Sequence, residues 1–324
     1  MRPGGTVLYI AVVALAAFLA MVGQFRTGNI FACPAQGYGT DRYLAYCQGE
    51  HYGDYDHGAF WFGLEPAADA SLRNAQVIFL GNSRLQWALS TPDTARWFDT
   101  VHARYYLFGF DYDETYPFEA GILQRLKPHA KVYVINLDAF FRNSPSAPAR
   151  LVMQDRDALR RYEAKRLWQP IHRFTCATLP ALCGNQVAFF RSRATGGYFG
   201  VPGPLLRVAV SQDPVVDDAR VAQGVASGAA FLVGLPVPRS CVITTLVPTN
   251  RAEYATAAAI AARLQTRFVS PVVAGLYTAD GSHLDSASAR RWSQAFLEQA
   301  GAQIEGCLAQ PDRLTTVARS GRSD

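Results

Sequence analysis

The chain has 324 residues, of which 49% are hydrophobic and 18% charged, the balance of one large or two small folded domains and not of a disordered protein. Its formal net charge of +5 is spread thinly, with no run of five or more Lys/Arg. That excludes the basic stripe on which nucleic-acid binding depends, and no nucleic-acid partner is expected.

Residues 6 to 23 (TVLYIAVVALAAFLAMVG) carry no charge and are about as long as a helix that crosses a bilayer. The sequence therefore predicts an N-terminal membrane anchor over residues 1 to 26, with the short N-terminus in the cytoplasm and the remainder on the far side. A cleaved signal peptide and a buried core helix are the alternatives, and the lack of a small-x-small site after the run favours retention. Six cysteines stand at positions 33, 47, 176, 183, 241 and 307. The short separations suit Cys33/Cys47 and Cys176/Cys183 as local disulfides, which leaves Cys241/Cys307. An even count after a membrane segment fits an oxidising compartment. Neither the spacing nor a neighbouring His suggests a zinc site, and no metal or cofactor is expected.

Residues 27 to 75 are polar and rich in Gly and aromatics, and read as loop and short strand. Asp54, Asp56 and His57 within them read as a hydrogen-bonded surface patch, with a ligand or metal site as the alternative. Tyr52, Tyr55, Trp61 and Phe62 read as packing, with stacking on sugar rings as the alternative. From residue 76 short apolar strands alternate with amphipathic stretches, the pattern of an α/β fold with a mainly parallel sheet. The predicted strands are 76–80, 103–108, 131–137, 241–247 and 268–273. The predicted helices are 92–98, with Ser90 or Thr91 as N-cap, 116–126, 251–264 and 286–298. Asp111, Asp113 and Glu114 lie where they would cap the helix from Tyr116. Residues 150 to 239 are less regular and read as an insertion or cap on the α/β domain, which runs to about 309. The polar stretch 310–324 reads as a disordered tail.

The most informative stretch is Val77-Ile-Phe-Leu-Gly-Asn-Ser-Arg-Leu-Gln86, a buried strand running directly into Gly-Asn-Ser. A serine just past the C-terminal end of a strand sits where open α/β sheets bind ligands. Its N–H can face a developing oxyanion. Near the other end lies Asp280-Gly-Ser-His283, just before a helix. A serine hydroxyl needs a base, and an imidazole needs a carboxylate to fix its tautomer. Asp three residues before His on one turn can supply it at Nδ1 and leave Nε2 for the serine.

Together, a strand ending in Gly-Asn-Ser-Arg and a late Asp-Gly-Ser-His-Leu resemble the first and last blocks of the SGNH (GDSL-type) hydrolases, over roughly residues 76 to 300. The resemblance implies a flavodoxin-like, three-layer α/β/α sandwich, with Ser83 as nucleophile, His283 as base and Asp280 as its orienting partner. Asn82 stands where the family usually has Asp. The second block implies a glycine N–H in the oxyanion hole, for which Gly109 in Leu107-Phe-Gly-Phe110 is the candidate. The third block, usually Gly-x-Asn-Asp, reads Ile135-Asn-Leu-Asp138 here, so that Asn136 or Asp138 takes the place. Arg84 is a candidate for binding a carboxylate-bearing sugar, with a helix-start salt bridge as the alternative. An anchor joined to such a domain is similar to the periplasmic proteins that work beside membrane-bound O-acyltransferases, as in alginate acetylation and teichoic-acid alanylation. The resemblance thus implies an inner-membrane esterase or O-acyltransferase acting on a cell-envelope glycan, with such an acyltransferase as a candidate partner. The altered third block keeps a second reading open, a glycan-binding or assembly protein that retains the fold without catalysis.

Overall fold

The computed structural model describes residues 3–49, 51–200 and 206–311, with the side chains of 3–6, 22 and 24–28 excepted. The chain divides into two compact units, Met1–Asp69 with Ala147–Pro204, and Ala70–Ser146 with Leu205–Asp324.

The second unit holds a five-stranded parallel sheet. Its strands are β1 (Val77–Asn82), β2 (Tyr105–Phe110), β3 (Val132–Asn136), β4 (Val242–Thr245) and β5 (Arg267–Phe268). Neighbours run β2-β1-β3-β4-β5, all parallel, so each connection crosses over through helix. Every residue of β1 and of β3 is buried. That is why both read as unbroken apolar runs and not as alternating ones. The predicted strands are all present, though the last is only two residues long. The order reverses between β1 and β3, and ligand crevices of open α/β sheets open at the carboxyl ends of the strands flanking such a point.

Capping explains where the helices begin. Thr91 accepts a hydrogen bond from the Thr94 N–H with Pro92 opening the helix Pro92–Thr100, and Asp285 accepts from Ser288 N–H at the start of Ser286–Leu308. The helix Tyr116–Leu126 follows Thr115, which makes no side-chain cap. The acidic residues before it serve elsewhere. Glu114 is fully buried and accepts from the N–H groups of Thr115 and Ser146, and Asp113 pairs with Arg84.

The first unit contains an antiparallel sheet in the order Gly53–Asp54, Arg42–Cys47, Ala188–Ser192, Tyr198–Gly200. Residues 27 to 75 are thus more ordered than the sequence suggests, since they also form the helices Asp56–Trp61 and Pro66–Asn74. The irregular stretch 150–239 is not one insertion. Its first part belongs to this unit, whereas the helix Asp218–Val233 belongs to the second and packs on Tyr254–Leu264. The acidic residues read as a surface patch are buried. Asp56 meets the Arg191 guanidinium at 2.5 Å and accepts from the hydroxyls of Tyr43 at 2.5 Å and Tyr198 at 2.9 Å. Tyr52 and Tyr55 are buried as packing residues.

Residues 6 to 23 fall in a helix, Pro3–Gly28. Among the described residues no helix is long and apolar enough to cross a membrane. Within the predicted anchor, residues 1 and 2 and the side chains of 3–6, 22 and 24–26 lie outside those described, as do residues 312 to 324 of the predicted tail.

All three disulfides pair as the spacing suggests: Cys33–Cys47, Cys176–Cys183 and Cys241–Cys307. The last closes a loop with a sequence separation of 66 and joins the start of β4 to the final helix. Loop-closure entropy makes it worth about 4 kcal/mol. The double variant Cys241→Ala/Cys307→Ala should therefore lose roughly that stability in denaturant unfolding, and a loss below about 1 kcal/mol would show that the bridge does not constrain the unfolded chain.

Candidate active site

Strand β1 ends at Asn82, whose side-chain oxygen accepts from the Arg84 N–H at 3.1 Å and starts the helix Ser83–Leu89 without an intervening loop. Ser83 is therefore the first residue of that helix, where backbone N–H groups have no intrahelical acceptor. Opposite it, the short strand Tyr277–Thr278 turns back through residues 279 to 283. The Ala279 N–H donates to the His283 carbonyl at 2.7 Å, and Gly281 takes a φ of 90° that a side chain would strain. This turn holds Asp280 and His283 on one side. His283 Nδ1 lies 2.7 Å from Asp280 Oδ2, and His283 Nε2 lies 2.8 Å from Ser83 Oγ. The other Asp280 oxygen accepts from the N–H groups of Ser282 at 2.9 Å and His283 at 2.8 Å. Burial alone raises the Asp280 carboxyl, but the hydrogen bonds from His283 outweigh it and hold it at about 2.

The remaining predicted residues gather at the same end of the sheet. Gly109 lies opposite Gly81 in the β1–β2 register, and a Cβ there would come within 2.7 Å of the Asn82 carbonyl oxygen. Only glycine fits. Asn136 ends β3, and its Oδ1 accepts from the Val247 N–H at 3.0 Å, which fixes the amide orientation. Its Nδ2 is buried and has no hydrogen-bond partner among the described residues. Such a donor is costly to leave unmade, at about 1–3 kcal/mol.

Asp138 and Arg84 face one another. Arg84 pairs with Asp138 and, at 2.9 Å, with Asp113, and donates from Nε to Ser282 Oγ at 2.8 Å. Burial lowers the Arg84 pKa, but Asp138 and Asp113 more than compensate, so it stays charged. The guanidinium thus makes the salt bridge that the sequence left as the alternative to substrate binding. Asp138 also accepts from Asn82 Nδ2 at 3.0 Å. An aspartate at position 82 would set two carboxylates against each other, so the two departures from the family pattern, Asn82 and Asp138, fit one another. Sequence reading missed this pair and the role of Ser282, because Asn82 and Asp138 lie 56 positions apart and no local pattern links them.

The Asp-x-x-His spacing occurs a second time, in the first unit. Asp54 Oδ1 lies 2.8 Å from His57 Nδ1, and Asp54 Oδ2 accepts from the Tyr162 hydroxyl at 2.9 Å. His57 is 0% exposed, whereas the His283 side chain is 18% exposed. No substrate reaches the former. A further cluster, His172 with Cys176 and Cys183, has metal-like proximity, but its two sulfurs are bonded to each other and offer no thiolate.

Because the folded Asp280 carboxyl is depressed, its contribution to stability is complete above the ordinary carboxylate range and vanishes as pH falls to about 2. The stability gap between the wild type and Asp280→Asn should therefore close between about pH 4 and 2. A gap unchanged down to about pH 2 would show that the carboxylate is not held by His283.

No family model matches the chain, and neither a curated protein nor a solved structure matches it.

Proposed function

We propose that this protein is a membrane-anchored serine esterase or O-acyltransferase of the SGNH type, acting on acyl groups, acetyl foremost, of a cell-envelope polysaccharide on the periplasmic side of the inner membrane. The observation that carries this reading is the chain of contacts from Ser83 Oγ to His283 Nε2 at 2.8 Å and from His283 Nδ1 to Asp280 at 2.7 Å. It has the order and reach of a nucleophile, its base and the group that orients the base.

In the proposed reaction, Ser83 Oγ attacks the ester carbonyl carbon as His283 Nε2 takes the hydroxyl proton, and Asp280 stabilises the imidazolium. The N–H groups of Ser83 and Gly109 and the Asn136 amide face the oxyanion. Collapse of the tetrahedral intermediate breaks the bond to the leaving alcohol, which receives the proton from His283. A sugar hydroxyl or water then attacks the acyl-serine as His283 takes its proton, the bond to Ser83 Oγ breaks as that proton returns to Oγ, and the choice of acceptor is the whole difference between transfer and hydrolysis. The Asn136 Nδ2, which has no partner among the described residues, favours that residue over Asp138 as the side-chain donor. An ionised Asp138 repels an oxyanion and is engaged by Arg84 and Asn82.

The flavodoxin-like reading of the fold is supported by the strand order, 2-1-3-4-5. Anchoring is supported by the N-terminal helix, where four successive residues, Val7, Leu8, Tyr9 and Ile10, are each more than 60% exposed. Among its described side chains, residues 7 to 21 and 23, none is buried, and an apolar helix with no buried face suits a bilayer. Three disulfides fit an oxidising compartment. The second reading, a non-catalytic glycan-binding or assembly protein, draws on Asp138, which sets a carboxylate against Asn82 and Arg84, the neighbours of Ser83 in sequence.

Turnover of an activated acetyl ester by the full chain in detergent separates the two. Ser83→Ala should lower it at least roughly a thousandfold and Asp280→Asn by a comparable factor. Asn136→Ala should cost about a hundredfold or more. Asp138→Ala should mainly lower stability, because it releases Arg84 and Asn82. Normal turnover by folded Ser83→Ala would refute the triad and favour the binding reading.

A further inference from the structure

The helix Ala158–Thr178 in the first unit is apolar on the wrong side. Its inward residues include Gln169 and His172, which are fully enough buried to need partners and have them. Gln169 accepts from the Leu44 N–H at 3.0 Å and donates to the Tyr52 hydroxyl at 2.8 Å. His172 lies 3.0 Å from the Cys33 carbonyl oxygen and 3.1 Å from the Tyr38 hydroxyl. The outward face instead carries Leu167 at 65% exposure, Trp168 at 49%, Ile171 at 49% and Phe174 at 73%, and Leu179 at 55% continues it just past the helix. The spacing of 167, 168, 171 and 174 places them on one stripe of a helix. In water such a stripe is a liability, and large apolar patches of this kind mark a partner or a membrane.

What covers it is indicated by what stands next to it. The N-terminal helix Pro3–Gly28 is followed by the turn Ile30–Ala32, and the Phe31 ring meets the Trp168 ring edge-on at 6.4 Å. The same helix approaches the turn Pro180–Leu182, which the Cys176–Cys183 bridge ties to the end of Ala158–Thr178. Gly28 lies five helical steps beyond the end of the apolar run at 23, roughly 8 Å of rise. The headgroup layer beyond the hydrocarbon is about 5–8 Å deep on each side. Trp168 therefore stands at headgroup depth if the apolar run spans the bilayer, the level at which tryptophan is enriched. About two turns N-terminal to the stripe Arg160 is exposed, with the sign that anionic headgroups attract, whereas Arg161 beside it pairs with Asp155.

We infer that the stripe Leu167, Trp168, Ile171, Phe174 and Leu179 is a second membrane contact, lying in the headgroup and acyl boundary of an anionic phospholipid surface beside the N-terminal helix. It rests on the anchoring proposed above and adds a fixed orientation of the first unit on the bilayer. A single helix permits rotation and tilt about its exit point, and a second apolar contact removes that freedom.

The test uses the full chain in vesicles of phosphatidylcholine and phosphatidylglycerol, made with and without brominated acyl chains, which quench tryptophan on contact. Trp168 is the one exposed tryptophan among five, so Trp168→Phe leaves the packed ones in place. Quenching by the brominated lipid should be strong in the wild type and mostly lost in Trp168→Phe. In Ile171→Glu/Phe174→Glu, whose changes are exposed, the remaining quenching of Trp168 should fall at least about twofold. Carbonate extraction of the same vesicles reads the anchor separately. Protein that resists extraction but shows equal quenching in the wild type and Trp168→Phe overturns this inference and leaves the anchor standing. Protein that is extracted yet loses quenching in Trp168→Phe refutes the anchor alone, and extraction without any such quenching refutes both.

Discussion

A single hydrogen bond, Ser83 Oγ to His283 Nε2, sets the demand that the second unit has to meet, because it joins groups 200 positions apart in sequence to within 2.8 Å. Neither residue can meet it alone. The strand that carries Ser83 and the helix that follows His283 are fixed to one another by packing: the Phe79 ring of β1 stands 6.4 Å from that of Phe296, and Trp292 and Phe296 are fully buried. Thr91 Oγ1 and Ser293 Oγ lie 2.9 Å apart across the same contact, and Cys241–Cys307 ties β4 to the last turns of the final helix. Arg84 Nε to Ser282 Oγ adds a second link directly beside the reacting groups. A misplacement of about 1 Å in such a constellation is enough to cost two orders of magnitude in rate.

Charge around Ser83 is balanced by a short network. Asn82 spans the strand end and the helix start, with its oxygen on the Arg84 N–H and its amide on Asp138. Asp138 and Asp113 hold the guanidinium of Arg84 at the mouth of the site. Beside this network Asn136 has its Nδ2 buried with no hydrogen-bond partner among the described residues. Its acceptor side is engaged by Val247, so the donor direction is set in advance, which is what electrostatic stabilisation of a transient charge requires.

Much of the second unit was legible because its signals are local. Buried parallel strands read as apolar runs, caps mark the helices, and the tight Asp280-to-His283 turn contains its own spacing. The short separations of Cys33/Cys47 and Cys176/Cys183 are local signals of the same kind, and Cys241/Cys307 is the pair that they leave. The first unit was not legible, since its central pairing joins Arg42–Cys47 to Ala188–Ser192 and no window of sequence contains both. Asp54 and Asp56 look like surface acids until Tyr162 and Arg191, each more than 100 positions away, bury and neutralise them. Position along the chain also misled at 150–239, where the parts before and after residue 204 belong to different units. The two Asp-x-x-His turns carry the same lesson in miniature: spacing brings the carboxylate to the imidazole, and burial decides whether anything else can reach it.

The central claim is that Ser83 is an activated nucleophile. Mass spectrometry of the intact chain after exposure to a fluorophosphonate, followed by peptide mapping, tests it most directly. One adduct is expected, on the peptide containing Ser83, and it should disappear in His283→Ala although Ser83 is still present. An unlabelled chain, a label on another serine, or equal labelling of the wild type and His283→Ala would contradict it.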